Sequence, residues 1–520
     1  MVFHKNQNAI RQNNIKFKRS MLAMCVMAFS VPSFAQTNTT EAVDEVIVSG
    51  VRTSLQNAQD IKRQSDTFVD SISASDIGAL PDRSVLEAMQ RVPGVSIERF
   101  AGVNDPDHFG VEGSGAVIRG MTATRSEFNG RDSFTANSGR GLSFQDVPPE
   151  LMAGVDVYKN QSADMIEGGI GGTVSLRTRK PFDSEGRVIA FSADATYGDM
   201  VEEWTPTISA LYSDRWEAAS VEFGVLFNIA NSRLEASSHG IQTDRYESRL
   251  ASSFEGAEDF VGADGQGRVW APTGSNATMK IDERERNGYA TAIQWENPED
   301  TVLATFQYMR SDATLTWKEN ALKFQGDYNA NRTFPLEDTA WEFTDEGIFD
   351  SGIIADRKSD WRGDGDRIPH NASWSSPAVP DFGLAFQTDT RYKSTNTVVD
   401  DFAFNVKFTP SDKWEFIVDA QYIEAETKDD DVDLFFGTFA MQDYRGISGE
   451  TPDMGLIDPW QWAVSNGVSS PWAGNAEYFQ DKTSYFWRSA MDHDERSEGD
   501  AAAVRFDSTY FLDEGFFKSA

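Results

Sequence analysis

From Val188 onward the chain alternates with a period of two. Ile189, Phe191, Ala193, Ala195 and Tyr197 are apolar, and Ser192, Asp194 and Thr196 between them are polar. The same period returns at Val221, Phe223, Val225, Phe227 and Ile229, at Val302, Ala304, Phe306 and Tyr308, and at Phe402, Phe404, Val406 and Phe408. It returns again at Trp414, Phe416, Val418, Ala420 and Tyr422, and at Val504, Phe506, Tyr510 and Leu512. Successive side chains of a strand point to opposite faces. Each segment therefore has one apolar and one polar face over about ten residues, the pattern of a transmembrane β-barrel with lipid outside and a polar lumen. A secreted, soluble β-rich binding protein built as a sandwich also alternates.

Loop lengths separate the two. Strands are expected near 188–198, 204–213, 216–231, 280–296, 300–317, 398–410, 413–428 and 502–512. Tight turns fall at Ser213-Asp214-Arg215, Asn297-Pro298-Glu299 and Pro410-Ser411-Asp412, with long connections over 232–279, 318–397 and 429–501. Past the first hairpin, short and long alternate, as periplasmic turns and extracellular loops require. A sandwich would not keep its long loops at one end.

Ahead of the strands, residues 51–182 read as a glycine-rich α/β globule. Ser84-Val85-Leu86-Glu87 is a capping box, Val85, Met89 and Val92 make one apolar stripe, and Pro93-Gly94 ends the helix. A lumen that holds a folded plug needs on the order of 22 strands, and an eight-stranded barrel has no room for one. About eight are readable here, with a ninth beginning near Phe516 after Asp513-Glu514-Gly515. The expected fold is thus an incomplete antiparallel transmembrane β-barrel with an N-terminal α/β plug in its lumen, in an N-terminal fragment that lacks most of its barrel.

The N-terminus carries Lys5, Arg11, Lys16, Lys18 and Arg19 with no acidic residue, then an apolar run from Met21 to Val31 and Ser33-Phe34-Ala35. This reads as a secretory signal peptide cut after Ala35. The run is too short to span about 30 Å of hydrocarbon, and Met24 before Cys25 argues against a lipoprotein signal. The organisation is then 1–35 signal peptide, 36–50 periplasmic tail, 51–182 plug and 183–520 partial barrel.

Charge and chemistry exclude other classes. Net charge is −35, and the leader takes five of the 47 basic residues with it, so the mature chain is near −40. Nucleic acid is excluded as a general partner. One cysteine excludes a disulfide scaffold and a Cys-based zinc site, and His4, His108, His239, His370 and His493 stand far apart. No GxSxG or HExxH is present, so no enzyme is expected. Asp429-Asp430-Asp431-Val432-Asp433 echoes a calcium loop, but Leu434 and Ala440 stand where glycine and glutamate are needed. A solvated acidic run is the expectation there. No metal or cofactor is called for.

Four segments carry a resemblance to the TonB-dependent outer-membrane receptors. Asp44-Glu45-Val46-Ile47-Val48-Ser49-Gly50 resembles the TonB box, and Ala88 to Val95 resembles the plug helix with its Pro-Gly-Val exit. Ile118-Arg119-Gly120 resembles the plug's central strand, and Gly169 to Thr178 its last strand. The resemblance implies an outer-membrane location in a Gram-negative bacterium, contact with outer-membrane lipid, energy from the inner-membrane partner TonB, and import of a bulky solute. Family members usually end in an aromatic residue where this sequence has Ala520. A signalling receptor would carry an extra domain ahead of the box, where only 36–43 lie, and a plain porin would lack plug and box.

Physically, an extended strand with unpaired backbone groups can add to a partner's sheet edge, which is what residues 44–50 would offer TonB. Gly120, Gly171 and Gly172 suit tight turns and close backbone approach. Arg119 is expected to hold a buried carboxylate, a structural task. Asn129-Gly130-Arg131 and Gly113-Ser114-Gly115 are expected as plug loops, some facing ligand. The long loops carry Trp341, Trp361, Trp374, Trp460, Trp462, Trp472, Tyr485, Phe486 and Trp487 beside carboxylates and amides. Flat rings so flanked suit sugar faces. Asn129, Arg131, Trp460, Trp462 and Trp472 are the ligand-binding candidates. The acidic chain disfavours anionic ligands, and Gly78-Ala79-Leu80-Pro81-Asp82-Arg83 with Asn129-Gly130-Arg131-Asp132 resembles a receptor subfamily linked to carbohydrate uptake. An oligosaccharide is the first reading, and a ferric siderophore or haem the alternative.

Overall fold

The computed structural model describes residues 58–65, 67–73, 84–98, 112–113, 115–136, 141–163, 165–253, 261, 265, 267–325, 333–335, 339–356, 384–449, 453–457, 478–482 and 485–512. The signal peptide and residues 44–50 lie outside them.

The plug is built on a five-stranded sheet ordered Val69–Ser73, Met152–Tyr158, Gly172–Thr178, Thr124–Phe128, Arg131–Asp132. Its pairs are antiparallel except Thr124–Phe128 beside Gly172–Thr178, which is parallel. Period two gives the sheet two faces. Val155, Val157, Val174 and Leu176 are buried with Val85, Leu86 and Met89 of the helix Val85–Met89. Asp156, Ser175, Arg177 and Glu127 alternate with them on the other face. Ser84 caps the helix, accepting from the Glu87 backbone N–H at 3.2 Å. Pro93 cannot extend it, and Gly94 at φ +75° turns the chain back into the strand Val95–Glu98.

Eight long strands follow: Val188–Gly198, Glu203–Ala218, Val221–Thr243, Gly274–Glu296, Val302–Gln325, Leu384–Ser411, Trp414–Arg445 and Phe486–Tyr510. Each pairs antiparallel with the next. Four short loop strands bring this sheet to 12, and among the described residues it does not close on itself. One continuous meander replaces the two stacked sheets of a sandwich.

The outward face explains the alternation. Along Trp414–Arg445, Trp414, Val418 and Tyr422 are each about two-fifths exposed. Phe402, Phe404 and Phe408 stand on the adjacent strand and Phe306 on the next, all exposed. Beyond Tyr422 the same face becomes Glu424, Glu426, Lys428 and Asp430. The apolar band is thus about nine residues tall, the height of a bilayer crossing by a tilted strand. The strand itself has 32 residues. Most of it rises past the lipid.

Two expectations change. The second hairpin turns at Ala219 and Ser220, not at Ser213-Asp214-Arg215. Both turn residues have positive φ, +54° and +62°, the geometry that matches strand twist in a two-residue turn. Asp214 stays in the strand, outside the sheet, held by Tyr212 and Arg187. The strands also extend well into the expected loops, leaving long connections of 244–273, 326–383 and 446–485.

The plug sits against the inward face, and glycine makes the room. A Cβ at Gly224 would lie 2.5 Å from Pro181, one at Gly288 2.6 Å from Leu151, and one at Gly499 3.1 Å from Phe134. Small wall residues Ala230 and Ala290, with Met309, join the plug's own core.

Candidate functional site

Three layers bear on function: the seam between plug and wall, the lumen wall above it, and the packed outer loops.

At the seam, Arg131 forms a two-pronged ion pair with Asp419, Nε–Oδ1 2.6 Å and Nη2–Oδ2 2.7 Å. Asn405 donates to the same carboxylate at 2.8 Å. Gln421 donates to the Asp132 carbonyl at 3.0 Å. Asn129 and Gly130 make the tight turn that presents Arg131, at φ +49° and +78°. The Asn129 side chain accepts from the Thr178 N–H at 3.0 Å. The structure therefore engages both ligand candidates of the plug in holding the plug to its last strand and to the wall.

Arg119 departs from expectation. It is an exposed turn residue at φ +52°, and its guanidinium donates to the Lys159 carbonyl at 3.0 Å rather than to a carboxylate. Gly120 follows at φ +78° with open space around it. Gly171 and Gly172 are close-approach positions, where a Cβ would lie 3.0 Å from the Met121 carbonyl and 2.5 Å from the Tyr158 carbonyl. Nearby, burial raises the Asp70 carboxyl, but Lys159 and Lys62 outweigh it and hold it below its ordinary value.

Higher on the seam, Glu112 of the plug is paired with both Arg284, at 3.0 Å, and Arg286 of the wall. Both guanidiniums also donate to the Gln145 carbonyl, at 3.1 and 2.6 Å. Beside them, desolvation pushes the Asp146 carboxyl above the ordinary range despite the two arginines.

Above the plug the inward faces carry a girdle of charge across four strands. Lys280 pairs with Asp282 at 3.1 Å, Lys323 with Asp389 at 2.8 Å, Arg391 with Asp431 at 2.6 Å and Asp433 at 3.0 Å, and Lys393 with Asp429 at 3.6 Å. Trp317 lies between two of the cations, its ring 4.8 Å from Lys280 Nζ and 5.0 Å from Arg391 Cζ. The run Asp429–Asp433 is not a solvated loop. It lies within a strand, with Asp431 and Asp433 in this girdle and Asp430 outside.

The outer loops share one core. Val269 and Ala271 from the first, Trp341, Phe349 and Ile354 from the second, and Met454, Leu456 and Phe479 from the third pack together with Tyr444 at the end of the strand Trp414–Arg445. Trp341 is 2% exposed, its indole N–H donates to the Ile353 carbonyl at 2.9 Å, and Phe349 meets it edge-on at 5.0 Å. It is therefore a packing residue, not an open ring. Trp487 is exposed and meets Phe436 edge-on at 5.3 Å. Trp361, Trp374, Trp460, Trp462 and Trp472 lie outside the described residues. Sequence reasoning missed Asp419, Arg284, Arg286 and Trp317. The pairing of charges on the inward positions of long strands was the available signal.

Fold and seam together define the class: a transmembrane β-sheet of outer-membrane type carrying a globular plug on its inner face. Residues 61–173 match the family model of the TonB-dependent Receptor Plug Domain, and the chain is recognised as a TonB-dependent receptor. No curated protein matches it by sequence. Among solved structures it is similar to the unliganded ferric citrate transporter FecA, with 11% identity over 87% of this chain and 76% of that one and a TM-score of 0.25. It is also similar to BauA, the ferric preacinetobactin receptor of Acinetobacter baumannii, at 10% identity over 86% and 60% with a TM-score of 0.30. The RagAB peptide importer is similar at 11% identity over 85% and 52% with a TM-score of 0.31. Scores this low carry no argument about ligand. The class rests on the plug match and on the sheet.

Proposed function

We propose that this receptor imports a bulky solute across the outer membrane, drawing energy from TonB through residues 44–50, whose pull remodels the plug. The observation that supports it is the plug docked by specific ion pairs against the inward face of a membrane-crossing sheet. A plug so seated blocks free diffusion, so passage needs work done on it. The first-choice solute is an oligosaccharide. The girdle cations Lys280, Lys323, Arg391 and Lys393 each already have a carboxylate of the wall. An anionic chelate would have to break those pairs in a chain of net charge −35. A neutral, hydroxylated solute need not.

The test is calorimetric titration of the purified full-length receptor with a panel of neutral glycans and ferric siderophores. Saturable binding of a glycan with no siderophore response supports the reading. Tight siderophore binding with no glycan response replaces it with the alternative.

A further inference from the structure

The outward face carries a second apolar patch, well above the lipid. Past the charged belt of Glu424, Glu426, Lys428 and Asp430, the strand Trp414–Arg445 presents Val432, Leu434 and Phe436 on the same side. Tyr392 stands beside Val432 on one neighbouring strand, and Trp487 beside Phe436 on the other. The first four are between 36% and 41% exposed, and Trp487 is 54% exposed. Val432 lies ten residues beyond Tyr422. At about 3.3 Å per residue that is about 33 Å along the strand, or about 25 Å above the apolar band for the tilt of membrane-crossing strands. Hydrocarbon does not reach that height, so lipid does not cover the patch. Apolar side chains gathered on one exposed face mark a contact with another macromolecule.

The flanking charges say which partner fits. The cross-strand row through the patch reads Lys318, Tyr392, Val432, Asp492. Lys318 and Asp492 are exposed, and neither has an ion pair among the described residues. The belt below is paired internally instead, Glu426 with Lys428 and with Arg496, both at 2.9 Å. Two copies that share one membrane orientation can be related by a two-fold axis only along the membrane normal. Such an axis between Tyr392 and Val432 brings Lys318 of one copy opposite Asp492 of the other, and Tyr392 opposite Val432. The row is therefore complementary to itself, as an isologous contact requires. We propose that this patch is the contact face between two copies of the receptor, with Val432, Leu434 and Tyr392 at its centre and two Lys318–Asp492 pairs at its rim. The contact stands clear of the plug and the lumen, so it is independent of which solute is carried.

The test is cross-linking of the full-length receptor in outer membranes. Val432→Cys and Leu434→Cys each place a thiol on the patch. His239→Cys places an exposed thiol on the same cross-strand row as Leu434, four strands away. The wild-type chain, whose one cysteine is Cys25, is the blank. A short bismaleimide is expected to give a species of twice the chain's mass from both patch positions, at least tenfold faster than from His239→Cys. Symmetry places each charge substitution at both ends of the row. Lys318→Glu is therefore expected to slow the Leu434→Cys reaction at least tenfold, and Asp492→Lys to do the same. Combining Lys318→Glu with Asp492→Lys is expected to restore the rate to within twofold. Both charges stand on the exposed outward face, so the swaps are expected to leave assembly intact, which labelling by a membrane-impermeant maleimide checks. If Leu434→Cys does not assemble, Val432→Cys carries the same readings. No doubled species at either patch position, an equal rate at His239→Cys, unaffected single swaps, or a double swap that stays slow overturns the proposal. An adduct with a protein of different mass also overturns it and assigns the face to that protein.

Discussion

Replacing Trp341 with alanine tests whether the outer loops are one folded unit. The ring is buried among residues from all three long connections and carries a hydrogen bond to the Ile353 carbonyl. Removing a buried aromatic of this size costs about 3–5 kcal/mol, and Gly352, whose Cβ position is filled by the indole, offers no side chain to close the gap. If the loops open as a unit, the opening constant rises by two to three and a half decades, since about 1.4 kcal/mol is a factor of ten. The ring lies in the outer-loop core, with the upper ends of the wall strands and beyond their apolar band, so assembly into detergent or bilayer is expected to be unchanged. The assay is limited trypsin digestion of the full-length receptor. Cleavage in both 326–383 and 446–485 is expected to accelerate together by at least about a hundredfold. Trp341→Phe, which keeps most of the ring and loses the N–H donor, is expected to fall in between. Cleavage confined to 326–383, or rates within about threefold of wild type, refutes the single-unit argument.

The seam makes a graded prediction. Gly288→Ala is expected to lower the stability of the docked plug by about 1–3 kcal/mol through overpacking, and Gly499→Ala by less, because its contact distance is longer. Thermal unfolding that ranks them in the opposite order counts against glycine as the reason the plug fits. Ile47→Pro removes a backbone donor from the expected TonB strand, so ligand is expected to bind normally while uptake stops; normal uptake would dismiss that role for residues 44–50. Asp70→Asn is expected to destabilise the plug at neutral pH. Because the folded carboxyl titrates below its ordinary value of 3.8, the difference should persist down to about pH 4 and vanish as pH falls through the folded pKa. A difference that grows on acidification would show the sign to be wrong.

The membrane-crossing part of the fold was legible because lipid enforces it. Between Trp414 and Tyr422 every outward residue must be apolar, so the period stands out in the bare sequence. From Arg233 to His239 the same strand geometry continues in water, where no solvent demands an apolar face, and the segment reads as loop. The turn of the second hairpin was misplaced for a related reason. Asp214 and Arg215 look like turn residues, but each finds an ion partner outside or beside the sheet, Arg187 and Glu222. The plug's helix cap and its glycines could be read because they are local. The partners that dock it could not. Arg131 and Asp419 are 288 residues apart, and nothing near either names the other.

The same separation decides what the acidic composition means. Inside the wall, carboxylates serve to hold the cations that a polar lumen needs, and the plug's polar face repeats the device with Asp156 and Glu127. Outside, just past the apolar band, carboxylates again occur in pairs and small networks, Arg310 with Asp400, Arg233 with Glu283, and Arg496 with Glu426. Surplus negative charge therefore acts mainly as a field around the receptor rather than as a grip at a contact. Such a field is screened over about 8 Å at physiological ionic strength. It slows the approach of anions at low salt and is indifferent to neutral solutes. On the oligosaccharide reading proposed above, selection against anions would have two independent layers, a long-range one that salt removes and a contact one, set by already paired cations, that salt does not.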